Sequence, residues 1–335
     1  KGVKVGHVTL NEGEDTRTGV TVIMPNDKIF NNKLIANSFI LNGAGEVSGL
    51  IQINEWGLLE TPIALTNTMS IGRVTNALSK WMSKKFEKIW NSRDVIIPVV
   101  GECDDSFLND TNAFKVRSEH VEQAIKNAES GIFPQGSVGA GTGMICCDFK
   151  AGIGSASRMV KIENIDYTIG VLVLSNFGEM EDLRVDGYPI GRTLAKHQGN
   201  YRRRIDNYGS IICVIATDIP ASPHQIQKIC KRGALGIGRA GSYAAHGSGE
   251  IILGFSTGNV IHHENKKPHY KMSIIIDNHL NQAYSACIEA VEEAILNSMT
   301  YSDDMTGIEG SFVPGLDLDL LKKCYDQYKK SEEKL

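Results

Sequence analysis

The sequence predicts an α/β fold in which sheets are covered on the outside by helices. Three observations carry this. Short apolar runs bounded by turn residues recur along the chain. Several of them are apolar throughout, as strands buried on both faces must be. Four segments with helical spacing of apolar residues fall between the strand groups. The chain has 335 residues. That exceeds a typical domain of ~100–200 residues and suits one large α/β unit or two intimately packed halves.

Strands are expected over residues 20–24, 34–41, 62–65, 95–100, 168–174, 211–216, 251–255 and 272–276. Ile71, Val74, Leu78 and Trp81 lie on one face of a first helix. Val121 and Ile125 mark a second, with Ser118 as its N-cap. Ile226, Ile229, Cys230 and Ile237 mark a third, opened by Ser222-Pro223, a cap followed by proline at the first helical position. Tyr284, Ile288, Val291 and Ile295 mark a fourth. The charged tail past Leu320, from Lys322 and Lys323 to Glu333 and Lys334, reads as a terminal helix or a frayed end.

Hydrophobic residues make up 41% and charged residues 22%, which excludes a disordered chain. With 35 Lys+Arg against 39 Asp+Glu, the net charge of −4 lacks the basic excess of a nucleic-acid binder. The one basic run, Arg202-Arg203-Arg204, reads as a solvated turn or a salt-bridge cluster. No apolar stretch reaches the ~18 residues that cross a membrane, and Lys1-Gly2-Val3-Lys4-Val5 has no signal-peptide h-region. Seven cysteines without a CxxC pair argue against a disulfide framework and against a structural zinc site. They are expected to act as small hydrophobes in a reducing cytoplasm.

Glycine is in excess: 34 residues, about one in ten against a usual ~7%. No three-residue period is present, so collagen is excluded. The densest segment is Gly136-Ser137-Val138-Gly139-Ala140-Gly141-Thr142-Gly143-Met144. Gly139 and Gly141 fit the first two positions of the dinucleotide fingerprint, but the third falls on Met144, and residues 146–154 read as extended rather than helical. The Gly-Lys-Ser/Thr of a P-loop is absent, so no nucleotide cofactor is expected. Backbone N–H groups of such a loop, Gly141 among them, can instead stabilise an oxyanion.

A second glycine-rich segment, residues 236–250, runs into the strand at 251–255 and holds Ser248 between Gly247 and Gly249. One reading is a loop serine that caps a turn. The other is a nucleophile whose neighbours have no side chains to obstruct attack. A strand follows this serine, whereas a helix follows the GxSxG elbow of α/β-hydrolases, so that motif does not apply. An N-terminal nucleophile fits better. Cleavage between Gly247 and Ser248 frees an α-amine with a pKa of about 7.7–8.0, a base at neutral pH. Gly247 leaves its own carbonyl open to the serine hydroxyl before that cut. The two glycine clusters are then expected as opposite walls of one site.

These motifs lie within a longer series. It includes Val5-Gly6-His7-Val8-Thr9, Thr18-Gly19-Val20, Gly43-Ala44-Gly45-Glu46 and the 136–158 segment. It continues with Ser175-Asn176-Phe177-Gly178, Ala216-Thr217-Asp218-Ile219-Pro220, Gly247-Ser248-Gly249-Glu250, residues 289–295 and Met305-Thr306-Gly307. In this series the chain resembles the L-aminopeptidase/D-esterase/amidase and β-peptidyl aminopeptidase family of self-processing serine hydrolases. The resemblance implies a four-layer α/β/β/α sandwich like that of N-terminal nucleophile hydrolases. It implies one domain, 1–335, cut into an α piece (1–247) and a β piece (248–335), and a homo-oligomer, a tetramer of αβ units. It implies release of N-terminal residues from short peptides, amides or esters, with no metal, cofactor, membrane or nucleic acid.

Carried over residue by residue, Ser248 is the nucleophile and Asn176 a donor to the oxyanion or substrate, with a turn-capping asparagine as the plainer alternative. The family's accessory glutamate is assigned to Glu292 or Glu293. Two departures concern substrate binding. Gln135 stands where members often carry Glu for the substrate ammonium, and Cys147 where they often carry Tyr to donate to the oxyanion. Glutamine keeps hydrogen bonding without charge, and a thiol is a weak donor. A fold retained for binding or scaffolding alone is one alternative. An acyltransferase of the ornithine-acetyltransferase type is another, disfavoured because it uses threonine where Ser248 stands.

Overall fold

Strands that are apolar on both faces must be covered on both, and the computed structural model of the chain shows what covers them. It describes residues 2–91, 94–197, 204, 209–265 and 267–332. In chain order its strands are β1 (Lys4–Glu12), β2 (Thr16–Met24), β3 (Asn32–Gly43), β4 (Leu58–Leu59), β5 (Ile63–Asn67), β6 (Val99–Cys103), β7 (Ile145–Cys146), β8 (Phe149–Lys150), β9 (Ile153–Ile162), β10 (Ile165–Asn176), β11 (Gly209–Thr217), β12 (Ser248–His262), β13 (Met305–Thr306) and β14 (Phe312–Val313). Its helices are α1 (Leu50–Trp56), α2 (Ile71–Lys85), α3 (Glu87–Asn91), α4 (Ser118–Lys126), α5 (Gly191–Leu194), α6 (Pro223–Arg239), α7 (Asn281–Thr300) and α8 (Leu318–Glu332).

Two sheets carry the fold, one ordered β1-β2-β5-β6 and one ordered β4-β3-β12-β11-β10-β9. Side chains alternate faces along a strand. Val5, Ile23 and Leu65 of the first sheet meet Leu172, Leu174, Ile212, Val214, Ile251 and Leu253 of the second. The residues between them turn outward. Val20, Val22 and Ala64 pack under Val74 and Leu78 of α2 and Val121 of α4. Val171, Val173, Cys213, Ile215 and Ile252 pack under α6 and α7 through Ile226, Ile229, Val291 and Ile295. The result is the α/β/β/α sandwich that the resemblance implies. All seven cysteines are free and buried, as small hydrophobes would be.

Each sheet holds one parallel pair, and each pair is joined through helical structure. The chain runs β5–α2–α3–β6 in one sheet and β11–α6–β12 in the other. The N-terminus of α6 is fixed by a capping box. Ser222 Oγ accepts the Gln225 N–H at 3.3 Å and Gln225 Oε1 accepts the Ser222 N–H at 3.0 Å.

Several sequence-based expectations need correction. The strand placed at 95–100 begins only at Val99, because Pro98 has no N–H for a ladder. Residues 272–276 form no strand; Ile274 and Ile276 are exposed, and no neighbouring strand pairs with them. Ser118 is the first residue of α4 and not its cap; Arg117 holds that position and donates its N–H to His120 Nδ1 at 3.1 Å. The tail past Leu320 is helical as α8, and Glu333 and Lys334 lie outside the described residues.

Gly236 and Gly238, both in α6, invite the same reading of close packing, yet they differ. A Cβ on Gly236 would lie 2.7 Å from the Ile288 carbonyl oxygen on α7, whereas Gly238 has nothing within 4 Å. Gly236→Ala is expected to destabilise by ~1–3 kcal/mol through forced separation of the helices. Gly238→Ala should stabilise by about 0.5–1 kcal/mol, the ordinary helix preference of alanine. Urea unfolding midpoints test the pair, and shifts of the same sign would refute this account of α6.

Candidate active site

Ser248 opens β12 in the middle of the six-stranded sheet. It stands opposite Gly209 on β11. Its N–H donates to the Ala245 carbonyl at 2.8 Å and closes the turn that delivers the chain to the strand. Asn42 on β3 fixes this turn, with Nδ2 donating to the carbonyls of Ala245 at 2.8 Å and Ser248 at 2.5 Å. The serine itself is buried.

Residues i and i+2 of a strand share a face, and here that places Glu250 beside Ser248. Ser248 Oγ donates to Glu250 Oε1 at 2.5 Å, and Ser242 Oγ donates to the same oxygen at 3.2 Å. Glu250 is 0% exposed, and its Oε2 has no hydrogen-bond partner among the described residues. Burial raises its carboxyl above the ordinary range, while the two hydroxyls pull it back down. Such a carboxylate can accept the proton of the hydroxyl that it already holds.

The opposite face of the same strand end is built around Gly249, whose N–H donates to Ser210 Oγ at 3.3 Å. A Cβ on Gly45 would lie 3.2 Å from Glu102 Oε1, 3.6 Å from Ser210 Oγ and 3.7 Å from Gly249 Cα, so these groups close around one point. Glu102 accepts the Glu46 N–H at 2.8 Å and the Thr68 hydroxyl, and burial raises its carboxyl. Gly45, Glu46, Val47, Trp56 and Ile251 border a largely apolar cavity of about 630 Å³ along this part of β12.

The other sequence-derived candidates are spread more widely. Asn176 ends β10 opposite Ser210, one strand beyond β11 from Ser248. Its amide is engaged: Oδ1 accepts the Ile145 N–H at 3.0 Å, and Nδ2 donates to the Asp104 carbonyl at 2.8 Å. Cys147 lies near it, with its N–H on the Phe177 carbonyl at 2.8 Å. A hydrogen bond to Cys146, then burial, pushes the Cys147 thiol well above its ordinary value. Arg204, from the run read as a solvated turn or a salt-bridge cluster, is half-buried. Its guanidinium reaches the Asn176 Oδ1 at 3.2 Å and the Ile145 carbonyl at 2.9 Å, while Arg202 and Arg203 lie outside the described residues.

Gln135 Oε1 accepts the Ser155 N–H at 2.6 Å, on the edge strand β9 three strands from β12. Gly141 is hemmed in by backbone, with the Ile153 nitrogen 2.5 Å from where its Cβ would stand. The glycines of 136–143 therefore let this segment pack closely against neighbouring chain. Glu292 on α7 pairs with Arg239 Nε at 2.9 Å and accepts the Asp186 N–H at 3.2 Å. Glu293 pairs with Arg158 at 2.7 Å. Both carboxylates are committed to arginines, and the carboxylate on the Ser248 hydroxyl is Glu250. The sequence held the signal for it, a strand beginning at Ser248 with Glu two residues on.

Two sheets packed face to face, each covered by helices, place the protein among hydrolases of the N-terminal nucleophile fold. Within that class the chain belongs to peptidase family S58, which matches residues 1–313. It is 37% identical over 358 residues to the beta-peptidyl aminopeptidase BapA of Sphingosinicella microcystinivorans, covering 98% of this chain and 87% of that protein. The crystal structure of a protein from Pyrococcus horikoshii OT3 superposes with a TM-score of 0.93 at 43% identity, covering 98% of this chain and 93% of the other. The L-aminopeptidase D-Ala-esterase/amidase of Ochrobactrum anthropi, described as a prototype for the serine aminopeptidases and a variant of the Ntn hydrolase fold, gives 0.91 at 34% identity over 98% and 93% of the two chains.

Two buried ionisable groups, Lys150 and Asp105, influence one another. Lys150 Nζ donates to the carbonyls of Gly141 at 3.3 Å, Met144 at 2.8 Å and Ala151 at 2.5 Å, tying the 141–151 segment together. Burial pulls this ammonium down, and the charge of Asp105 pulls it up. Asp105, adjacent to the Asp104 carbonyl that holds Asn176, is pushed up to about 7 from 3.8, first by burial. Its proton is favoured in the folded state, so the fold gains from it below about pH 4 and loses that gain as pH rises through about 7. The wild type should lose on the order of 2 kcal/mol from this group between pH 5 and 8. Asp105→Asn should flatten that slope. Denaturant unfolding at the two pH values is the measurement, and parallel losses in both proteins would remove Asp105 as the cause.

Proposed function

We propose that the protein is a self-processing serine aminopeptidase or amidase, with Ser248 as its nucleophile. One observation carries the reading: a buried serine hydroxyl 2.5 Å from a buried carboxylate, at the first residue of a central strand and directly after a glycine. Cleavage between Gly247 and Ser248 gives pieces 1–247 and 248–335. The α-amine thus freed, with a pKa of about 7.7–8.0, takes over as base for substrate. Ser248 Oγ then attacks the carbonyl carbon of the substrate's first residue. The leaving amine or alcohol departs with a proton, and water hydrolyses the acyl-enzyme ester. The relatives named as aminopeptidases, beta-peptidyl aminopeptidase and D-Ala-esterase/amidase support short peptides, amides or esters as substrates.

A cytoplasmic homo-oligomer, a tetramer of αβ units, completes the reading. Exposed Ile40, Leu41, Ile51 and Trp56 support association of copies.

Intact mass and N-terminal sequencing of the purified protein test the central claim. Two pieces are expected, the smaller beginning at Ser248, together with release of p-nitroaniline from amino-acid p-nitroanilides. Ser248→Ala should remain one chain and lose turnover by on the order of 10⁴-fold or more. An uncut wild type, or an active Ser248→Ala, would overturn the proposal and leave a binding role for the fold.

A further inference from the structure

We propose that Glu250 is the base for the protein's first reaction, the cut in its own chain between Gly247 and Ser248. The inference rests on Ser248 being the nucleophile and concerns a step that the α-amine cannot serve. In the intact chain the Ser248 nitrogen is an amide, donating its hydrogen to the Ala245 carbonyl. It has no free lone pair to receive a proton, so another group must do so.

Glu250 is the titratable side chain that meets the Ser248 hydroxyl. Glu292 and Glu293 are held by Arg239 and Arg158. Glu250 faces Ile211 on β11 and Asn42 on β3. The loop from α6 to β12 brings Ser242 to it and carries two titratable side chains, Tyr243 and His246, both exposed. Arg239, at the end of α6, is turned to Glu292. The carboxylate is therefore buried without a cation against it among the described residues, which makes it a stronger base than a solvated one. Ser242, the second donor to Oε1, is a positioning residue that aims the oxygen at Ser248.

The step balances with these groups and one water. Glu250 takes the Oγ proton as Oγ bonds to the Gly247 carbonyl carbon. The carboxylic acid then gives that proton to the Ser248 nitrogen as the C–N bond breaks. This leaves a Gly247 ester on Oγ and a free α-amine. Water adds to the ester carbonyl and the C–O bond breaks; one of its protons restores the Oγ hydroxyl, the other passes to the new α-amine, and Gly247 is released as a carboxylate. Glu250 ends in its starting state.

The test follows self-cleavage of freshly synthesised full-length chain by intact mass between pH 5 and 9. The wild-type rate should rise with pH as the carboxyl ionises and then level off. Glu250→Gln keeps size and hydrogen bonding but should slow cleavage ~10²–10⁴-fold and abolish the rise. Ser242→Ala removes a hydroxyl that lowers the carboxyl, so its rise should move to higher pH. If Glu250→Gln cleaves at the wild-type rate and profile while Ser248→Ala stays intact, the role of Glu250 is overturned and the nucleophile stands. If wild type never cleaves, or Ser248→Ala does, the nucleophile itself falls. Circular dichroism checks the fold of Glu250→Gln. Should that variant not fold, an unmoved Ser242→Ala midpoint overturns the proposal by itself.

Discussion

The parallel pairing of β11 and β12 is the constraint on which the rest of the molecule depends. Parallel neighbours cannot be joined by a hairpin, so the chain must travel back along the sheet before the second strand begins. Helix α6 makes that journey, held at its start by the Ser222–Gln225 capping box and along its length by α7. Its exit turn must end level with Gly209, and the first residue to enter the sheet is Ser248. The Ser248 hydroxyl thus stands at the end of a central strand because of connectivity. The same connection lays α6 over the sheet's outer face and contributes to one of the three large cores.

Glycine serves one physical purpose in this frame. Around residues 136–143 and at Gly154 it lets backbone approach backbone; a Cβ on Gly154 would sit 1.8 Å from the Ala294 carbonyl oxygen. At Gly209 it lets β11 pass Asn176, whose carbonyl oxygen is 2.0 Å from the Cβ position. Beside Ser248 the same holds for Gly249, whose Cβ would lie 2.8 Å from the Ala44 carbonyl oxygen.

Much of the sandwich is legible in the chain. Runs such as 211–216 and 251–255 announce two-sided burial, and the spacing through α2, α6 and α7 announces their apolar faces. What local pattern cannot show is whether an apolar run finds a partner. Residues 272–276 look like a strand but pair with no strand, and Pro98 delays β6. In the site, Ser248 stands out from its flanking glycines. Asn176 is brought to the same end of the sheet but is spent on Ile145 and Asp104. Glu292 and Glu293 resemble catalytic carboxylates in one dimension, yet each has an arginine beside it in three. Glu250 could have been found from strand parity alone, once Ser248 was taken as a strand residue.

The position of Ser248 also bears on how the protein comes apart. Downstream of it lie β12, paired along β3 on one side and β11 on the other, and α7, which covers β9 and β10. A break before Ser248 leaves every one of these contacts in place. It turns one folded chain into two interleaved ones, neither of which can bury its apolar faces alone. Unfolding of the cut protein is then also dissociation, and refolding requires two partners to meet. Its persistence depends on concentration and on the rate of opening more than on a unimolecular equilibrium.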